Sequence, residues 1–337
     1  VSVSVRDVAS LAGVSVGTVS NVLNRPEKVA PATVERVQRA VAELGFVRNE
    51  AARQLRAGQS HSIGLIVLDV RNPFFTDVAR GAEDKAAEGS LSVLLGNSDE
   101  KPEREAAHIA LFQEQRVHGV LISPLGDDLG RLAALRERGI PTVLVDRQDP
   151  AGEFSSVSVD DVAGGYLAVR HLLDLGRRRI AFVGGPHGIR QVADRLLGAQ
   201  KAVEEVYGAS LEVIDGEGLT VLHGRAVGEA LRERAAYARP EAVFAANDLL
   251  ALGVLQALTM LGDIRVPQDI ALIGYDDIDF AATAVVPLSS IRQPSVLIGS
   301  TAVELLLREA AGGPDFEHEQ IVFQPELVVR ASTGTAD

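Results

Sequence analysis

Beyond residue 62 the chain alternates between short apolar runs and amphipathic segments of helical length, and this alternation limits the possible folds more than any other feature. The apolar runs lie at 63–68, 91–95, 119–122, 142–145, 180–183, 242–245 and 270–273. Continuous apolar runs of this length read as strands buried on both faces of a sheet. Helical segments at 75–88, 103–115, 164–174, 190–206, 224–234 and 248–261 separate them. Strand, helix, strand in repetition gives parallel sheets with right-handed crossovers, so the expected class is α/β. Such sheets bind ligands just past the carboxyl ends of their strands. Polar residues at those points are therefore the first candidates for a site.

The first sixty residues follow a different pattern. Val5, Val8, Ala9 and Ala12 form one apolar stripe at helical spacing. Gly13 can take the left-handed angles that end a helix, and Ser15 is a suitable N-cap for the next one. That second helix turns Val19, Val22 and Leu23 inward and leaves Val16, Gly17, Ser20 and Asn21 outside. Two short helices joined tightly suit the major groove of DNA. The pattern by itself also fits an ordinary helical hairpin. A third helix follows, with Pro31 in its first turn, Val34, Val37, Val41 and Leu44 on one face, and Gly45 at its end. Phe46 and Val47 are available to close a small three-helix core. A short segment from Asn49 through Leu55 is too brief to be a stable helix alone, since isolated helices need roughly 12–15 residues. It requires a partner: DNA, a second copy, or both.

Charge is unevenly placed. Residues 1–60 hold eight Lys and Arg against five Asp and Glu, a net of +3; the whole chain is −13, so the remainder is −16. A basic head on an acidic body confines the electrostatic footprint for nucleic acid to one place. The head is only modestly basic, so two copies are expected to be needed for useful affinity.

The strings Asp7-Val8-Ala9, Ala12-Gly13-Val14-Ser15, Thr18-Val19-Ser20 and Asn49-(three residues)-Arg53-Gln54-Leu55 resemble the DNA-binding headpiece of the lactose-repressor/galactose-repressor (LacI/GalR) family. The resemblance continues through nearly the whole chain. It implies that Val16, Gly17 and Asn21 fall at base-reading positions. It implies that Thr18, Ser20 and Asn24 meet phosphates, with Arg53 in the hinge segment. Leu55 matches a hinge leucine wedged into the minor groove, and Arg56 follows it. Val16 and Gly17 depart from many relatives, which carry larger polar groups there. Neither side chain donates a hydrogen bond, so Asn21 is the base-specific contact with both donor and acceptor.

For the body, the resemblance implies two lobes of parallel sheet with a ligand cleft between them, like the sugar-binding proteins of the periplasm. The expected division is a head at 1–47, a hinge and linker at 48–60, and an effector-binding and dimerisation domain at 61–332. Lobe 1 would take 61–160 and 293–323, and lobe 2 would take 161–292 and 324–332. A helix at 296–311 would pack on lobe 1. Residues that follow strands supply the expected effector contacts: Asp69, Asn72, Phe74 and Phe75; Ser123; Asp146 and Arg147; Gln191 and Arg195; Leu219; Asn247; and Asp276. Asp146, Arg195, Asn247 and Asp276 together suit a polyhydroxyl ligand, because carboxylate, amide and guanidinium groups can each pair with vicinal hydroxyls. Leu219 stands where some relatives carry a stacking aromatic, which leaves stacking to Phe74 or Phe75 and keeps a nucleoside or other metabolite open. Asp248 reads as a helix N-cap, and the adjacent pairs Asp160-Asp161 and Asp276-Asp277 read as turn residues.

Other classes fare poorly. Cysteine is absent, so disulfides and cysteine metal sites are excluded. Seven scattered histidines show no metal spacing, and neither a phosphate loop nor a nucleophile elbow is present. No cofactor or metal is expected. No stretch of about 18–20 uninterrupted apolar residues occurs, and the N-terminus lacks an apolar secretory core. The expectation is a cytoplasmic, homodimeric regulator of transcription, a repressor, that binds a near-palindromic double-stranded operator under control of a small effector, a sugar or sugar derivative. The alternatives are a co-repressed regulator that responds to a nucleoside or other metabolite, a receptor without DNA activity, and, third, an enzyme on a similar fold.

Overall fold

A computed structural model of the chain describes residues 3–46, 60–126, 128–186, 188–260, 263–313 and 316–334. Its contacts divide it into two units, Val1–Gln59 and Ser60–Asp337. In the first, α1 (Val5–Ala12), α2 (Val16–Asn24) and α3 (Pro31–Leu44) enclose a small core of Val8, Ala9, Ala12, Val19, Val22, Val37 and Ala40. Gly13 ends α1 at φ 66°, a left-handed angle that lets α2 turn back across it. The Ser15 hydroxyl accepts the Thr18 N–H at 3.0 Å and so starts α2. A 3₁₀ turn at Pro26–Lys28, absent from the sequence reading, links α2 to α3. The sequence-based face of α3 is turned to the core, with Val37 and Ala40 its buried centre.

The second unit is α/β. In chain order it runs β1 (Ser62–Val67), α4 (Pro73–Glu88), β2 (Ser92–Asn97), α5 (Pro102–Glu114), β3 (Gly119–Ile122), α6 (Gly130–Glu137), β4 (Thr142–Val145) and β5 (Ser155–Val159). It continues with α7 (Asp161–Asp174), β6 (Arg179–Val183), α8 (Arg190–Glu204), β7 (Ser210–Ile214), α9 (Val221–Glu233), β8 (Ala242–Ala245), α10 (Asp248–Thr259), β9 (Ala271–Asp276), α11 (Asp279–Thr283) and β10 (Ser289–Arg292). It closes with α12 (Ser295–Gly312), β11 (Gln320–Phe323) and β12 (Glu326–Val328).

Two six-stranded sheets result. One has the order β11-β5-β4-β3-β1-β2 and is parallel throughout; the other is β12-β10-β9-β8-β6-β7, with β12 antiparallel. The order reverses between β1 and β3 in one sheet and between β6 and β8 in the other. At such switch points the loops part and leave a crevice beyond the strand ends. The chain passes from one sheet to the other between β5 and α7, after β10, and between β11 and β12. The central strands β1, β3, β4, β6, β8 and β9 are buried almost throughout, as continuous apolar runs require.

The run at 91–95 departs from that expectation. It forms an edge strand, β2, whose Leu94 and Leu95 are 38% and 49% exposed. An apolar run read alone cannot distinguish a central strand from an edge strand whose side chains face outward. Among the described residues no helix is long and apolar enough to cross a membrane.

Helix α12 packs along α4 at a separation that only glycine permits. A Cβ at Gly299 would lie 2.0 Å from the Val78 carbonyl oxygen, and one at Gly81 would lie 2.0 Å from the Val296 carbonyl oxygen. Backbone atoms cannot yield as a flexible side chain would. Gly299→Ala is expected to lower the unfolding free energy by at least about 1–3 kcal/mol, read as a drop in the urea midpoint of the full chain. An unchanged midpoint would show that the two helices do not meet at this distance.

Candidate functional site

The crevice between the two sheets holds a small cavity of about 30 Å³. Its wall includes Asn72, Phe74 and Phe75 after β1, Asp146 after β4, Gln191 and Arg195 on α8, Leu219, Asn247 after β8, and Asp276 at the end of β9. Nine of the twelve sequence-based effector contacts are thus brought together. Three are not. Asp69 accepts from the Arg71 side chain at 2.9 Å and does not line the cavity. Ser123 is fully buried behind the strand end. Arg147 donates to the Gly126 carbonyl, away from this wall. All three follow strands, but strand-end position fixes where a Cα lies and not where the side chain turns.

Arg195 is the centre of the site. Gly165 and Gly198 let α7 and α8 touch backbone to backbone, since a Cβ on either would lie 2.0 Å from a carbonyl oxygen of the other helix. This contact brings Arg195 against Asp161 at the start of α7, Nε to Oδ1 2.8 Å. Its Nη1 donates to the Ala246 carbonyl at 2.7 Å and lies 3.8 Å from Asp276 Oδ1. The guanidinium sits 3.7 Å from the centre of the Tyr275 ring, a cation–π contact strengthened by loss of water. Burial alone would pull the Arg195 pKa down. The ring of Asp161, Tyr275, Asp276 and Asp146 reverses this and holds it above its ordinary value.

By sequence Asp161 is a turn residue and Gln293 has no assigned role. Instead Asp161 is the buried partner of Arg195, and Gln293 donates to Asp276 Oδ1 at 2.8 Å. Gln293 follows β10 at a crossing between sheets, a position that itself points to the crevice. The helix cap is also corrected. Asn247, not Asp248, caps α10, accepting the Leu250 N–H at 2.9 Å while its amide donates to the Leu219 carbonyl at 3.1 Å. Asp248 is buried one residue further on, where it accepts from Ser290 Oγ at 2.7 Å and the Ile278 N–H at 2.9 Å.

The two cavity carboxylates are unequal. Asp276 accepts from Asn72 at 2.9 Å through one oxygen and from Gln293 through the other. Asp146 receives only Gln191, at 2.8 Å on Oδ2, and its buried Oδ1 has no partner among the described residues. Burial, with Asp161 and Asp276 nearby, pushes the Asp146 carboxyl well above the usual range despite the pull of Arg195. Burial also raises Asp276, against the stabilising Arg195, Asn72 and Gln293. The contacts Asn72–Asp276 and Gln191–Asp146 each join residues of one sheet's loops to those of the other. The polar groups therefore pair with one another across the crevice, except for Asp146 Oδ1 and Gln293 Oε1, which find no partner among the described residues. What displaces them must offer both donors and acceptors. Among the described residues no cluster of metal-ligating side chains is present.

In the head, Val16, Gly17 and Asn21 are exposed on α2. Thr18 shares a 2.9 Å hydrogen bond with the Ser15 hydroxyl, and Asn24 donates to Ser20 at 3.3 Å. A Cβ at Gly17 would meet only Ser15 Oγ, at 3.6 Å, so the head does not require glycine there. Arg53, Leu55 and Arg56 lie outside the described residues.

A raised carboxyl adds stability below its unfolded pKa, near 3.9, and loses it as pH climbs through the folded value. Asp146→Asn lacks this titration and keeps a neutral group. Between pH ~4 and pH ~7 the variant is expected to gain on the wild type by on the order of 1 kcal/mol or more, followed by thermal unfolding against pH. A constant difference across that interval would mark Asp146 as an ordinary carboxylate.

Comparison with known proteins adds independent findings. A family model described as bacterial regulatory proteins, lacI family, matches residues 4–49, and a periplasmic binding protein-like domain matches residues 169–333. The chain is 33% identical over 332 residues to the ribose operon repressor of Escherichia coli (strain K12), covering 98% of this chain and 99% of that protein. The lac repressor dimer bound to operator and the anti-inducer ONPF is similar over 99% of this chain and 100% of that one, with TM-score 0.84 and 29% identity. A LacI family transcriptional regulator from Enterococcus faecium with bound ribose is similar over 81% of this chain and 98% of that one, with TM-score 0.73 and 30% identity.

Proposed function

This chain belongs to the lacI family of bacterial regulatory proteins, and we propose that it is a repressor whose grip on operator DNA is set by a small hydroxylated effector held between two lobes. The observation that carries the effector half is the self-paired crevice: Asn72 with Asp276 and Gln191 with Asp146. A sugar's hydroxyl groups can take over each of these hydrogen bonds without leaving a buried polar atom unpaired, which would cost about 1–3 kcal/mol. The ribose bound by the Enterococcus faecium protein and the name of the Escherichia coli relative support a monosaccharide of that size.

In the proposed repressor residues 1–47 bind DNA, 48–60 form the hinge and 61–332 bind effector and pair. A homodimer sets two α2 helices in successive major grooves of a near-palindrome. The exposed Leu94 and Leu95 on edge strand β2 favour burial against a second copy. The similar lac repressor is itself a dimer on operator. The protein acts where the DNA is, in the cytoplasm, and binds rather than transforms its effector. Effector binding in the crevice repositions the lobes and loosens the hinge, with Leu55 leaving the minor groove. A coupling of about 1–3 kcal/mol corresponds to about 5–150-fold in operator affinity.

Gly17 connects the head to its DNA. A helix-interior glycine costs roughly 1 kcal/mol relative to alanine, and the head has space for the methyl group. The missing side chain thus serves close approach to base edges. Gly17→Ala is expected to raise the melting temperature of the head while lowering operator affinity at least several-fold. The operator comes from selection in a random duplex pool, and fluorescence anisotropy reads the affinity. Equal operator affinity would remove Gly17 from the interface. For the effector half, Asp276→Asn is expected to leave effector-free operator binding intact and weaken effector-induced release at least tenfold. Normal release by this variant would sink the cleft assignment.

A further inference from the structure

By sequence Asp276-Asp277 is a pair of turn residues, and only the first of the two lines the crevice. The second is buried all the same, its side chain 4% exposed. Its carboxylate accepts from two arginines, Arg292 Nε on Oδ2 at 2.8 Å and Arg330 Nη1 on Oδ1 at 2.6 Å. Exposed ion pairs contribute little, but a buried carboxylate stripped of a cation is left uncompensated. This cluster is therefore a firm tie, and what it joins decides its role.

Of the crossings between the two sheets, one leaves from β10 and another arrives at β12. Arg292 is the last residue of β10, just before the chain leaves for α12. Arg330 follows β12, and its Nη1 also donates to the Leu288 carbonyl, just before β10, at 2.8 Å. Arg292 Nη1 lies 3.7 Å from Glu326 at the start of β12. One carboxylate thus ties both crossing strands to the turn after β9. That turn has an uncommon backbone. Asp276 stands at φ 102° and Asp277 at φ 55°, both in the left-handed region that favours glycine. Such angles persist only where neighbours impose them. The Asp277 N–H donates to Ser290 Oγ at 3.0 Å, and Ser290 Oγ donates to the buried Asp248 at 2.7 Å. A closed circuit results: Asp277 holds Arg292, the adjacent Gln293 donates to Asp276 at 2.8 Å, and Asp276 is bonded to Asp277 along the chain.

We infer that Asp277 is a positioning residue for the effector site: through Arg292 and Arg330 it locks two crossings between the lobes to the turn that presents Asp276. Hold on the effector and the setting of the lobes then depend on one ion-pair cluster. This rests on the reading of Asp276 as an effector contact. Asp277 itself does not line the cavity and acts through its neighbours.

Calorimetric titration of the full chain with D-ribose, and amide hydrogen exchange without any sugar, test it. Asp277→Asn keeps the size of the side chain and removes its charge. It is expected to weaken D-ribose binding at least tenfold and to speed exchange at least tenfold in both 276–282 and 289–298, with 62–67 unchanged. Arg292→Gln, at the half-exposed partner, is expected to weaken D-ribose several-fold. The double variant is expected to lose no more than Asp277→Asn alone, because both changes break the same tie. Ser155→Ala removes a buried hydrogen bond to Glu309 in the other lobe. It controls for general loss of stability and is expected to bind D-ribose as the wild type does; melting curves establish that each variant is folded. Full D-ribose affinity in Asp277→Asn, an equal loss in Ser155→Ala, or faster exchange confined to 276–282 would overturn the inference and leave the hydroxylated-effector reading in place. If the wild type binds no D-ribose, the effector reading fails for that sugar and the exchange pattern decides: faster exchange in both segments upholds the role of Asp277, and an unchanged 289–298 overturns it.

Discussion

A guanidinium taken out of water organises the effector crevice. Arg195 is 5% exposed, and burial of an unpaired charge would be prohibitive. The fold compensates from several directions: Asp161 at the start of α7, the Ala246 carbonyl after β8, and Asp276 and Tyr275 on β9. These elements are distant in sequence and converge because the second sheet places its strand ends together. Glycines at 165 and 198 are part of the same arrangement, since they let α8 approach closely enough for the ion pair. Remove the close helix contact and the charge loses its partner.

Fixing Arg195 leaves the remaining carboxylates in different conditions. Asp276 is supplied with donors on both oxygens and has the guanidinium nearby. Asp146, on the other lobe, has one donor and a buried bare oxygen. The inequality gives the closed crevice a definite point of dissatisfaction, and an incoming hydroxyl can relieve it. The hydrogen bonds of these groups connect the two lobes.

Much of this was legible in the chain. The helix-turn-helix showed in the apolar stripe, Gly13 and Ser15, all local signals that the folded head uses as expected. The central strands showed as apolar runs. Strand β5 did not, and the reason is physical. Three of its five residues are serine, yet the strand is wholly buried. The Ser155 hydroxyl reaches Glu309 on α12 at 3.0 Å, and Ser156 reaches Gln320 on β11. Those partners lie more than 150 residues away, so composition alone reads as loop. Asp69, Ser123 and Arg147 show the converse: each follows a strand, but Asp69 and Arg147 are taken by other partners and Ser123 is buried away from the cavity wall.

Local sequence set most helix starts and ends, the central strands, the α/β class and the polar residues that follow strands. Caps, helix stripes and apolar runs act within a few residues, and the chain carries them wherever it folds. Tertiary structure decided which of those polar residues meet. It paired Asn72 with Asp276 across 204 residues, turned Asp161 from a turn candidate into a charge partner, and left Asp146 short of donors. Burial and the pairing of charges are properties of assembled surfaces, because both depend on how completely neighbours from distant parts of the chain exclude water.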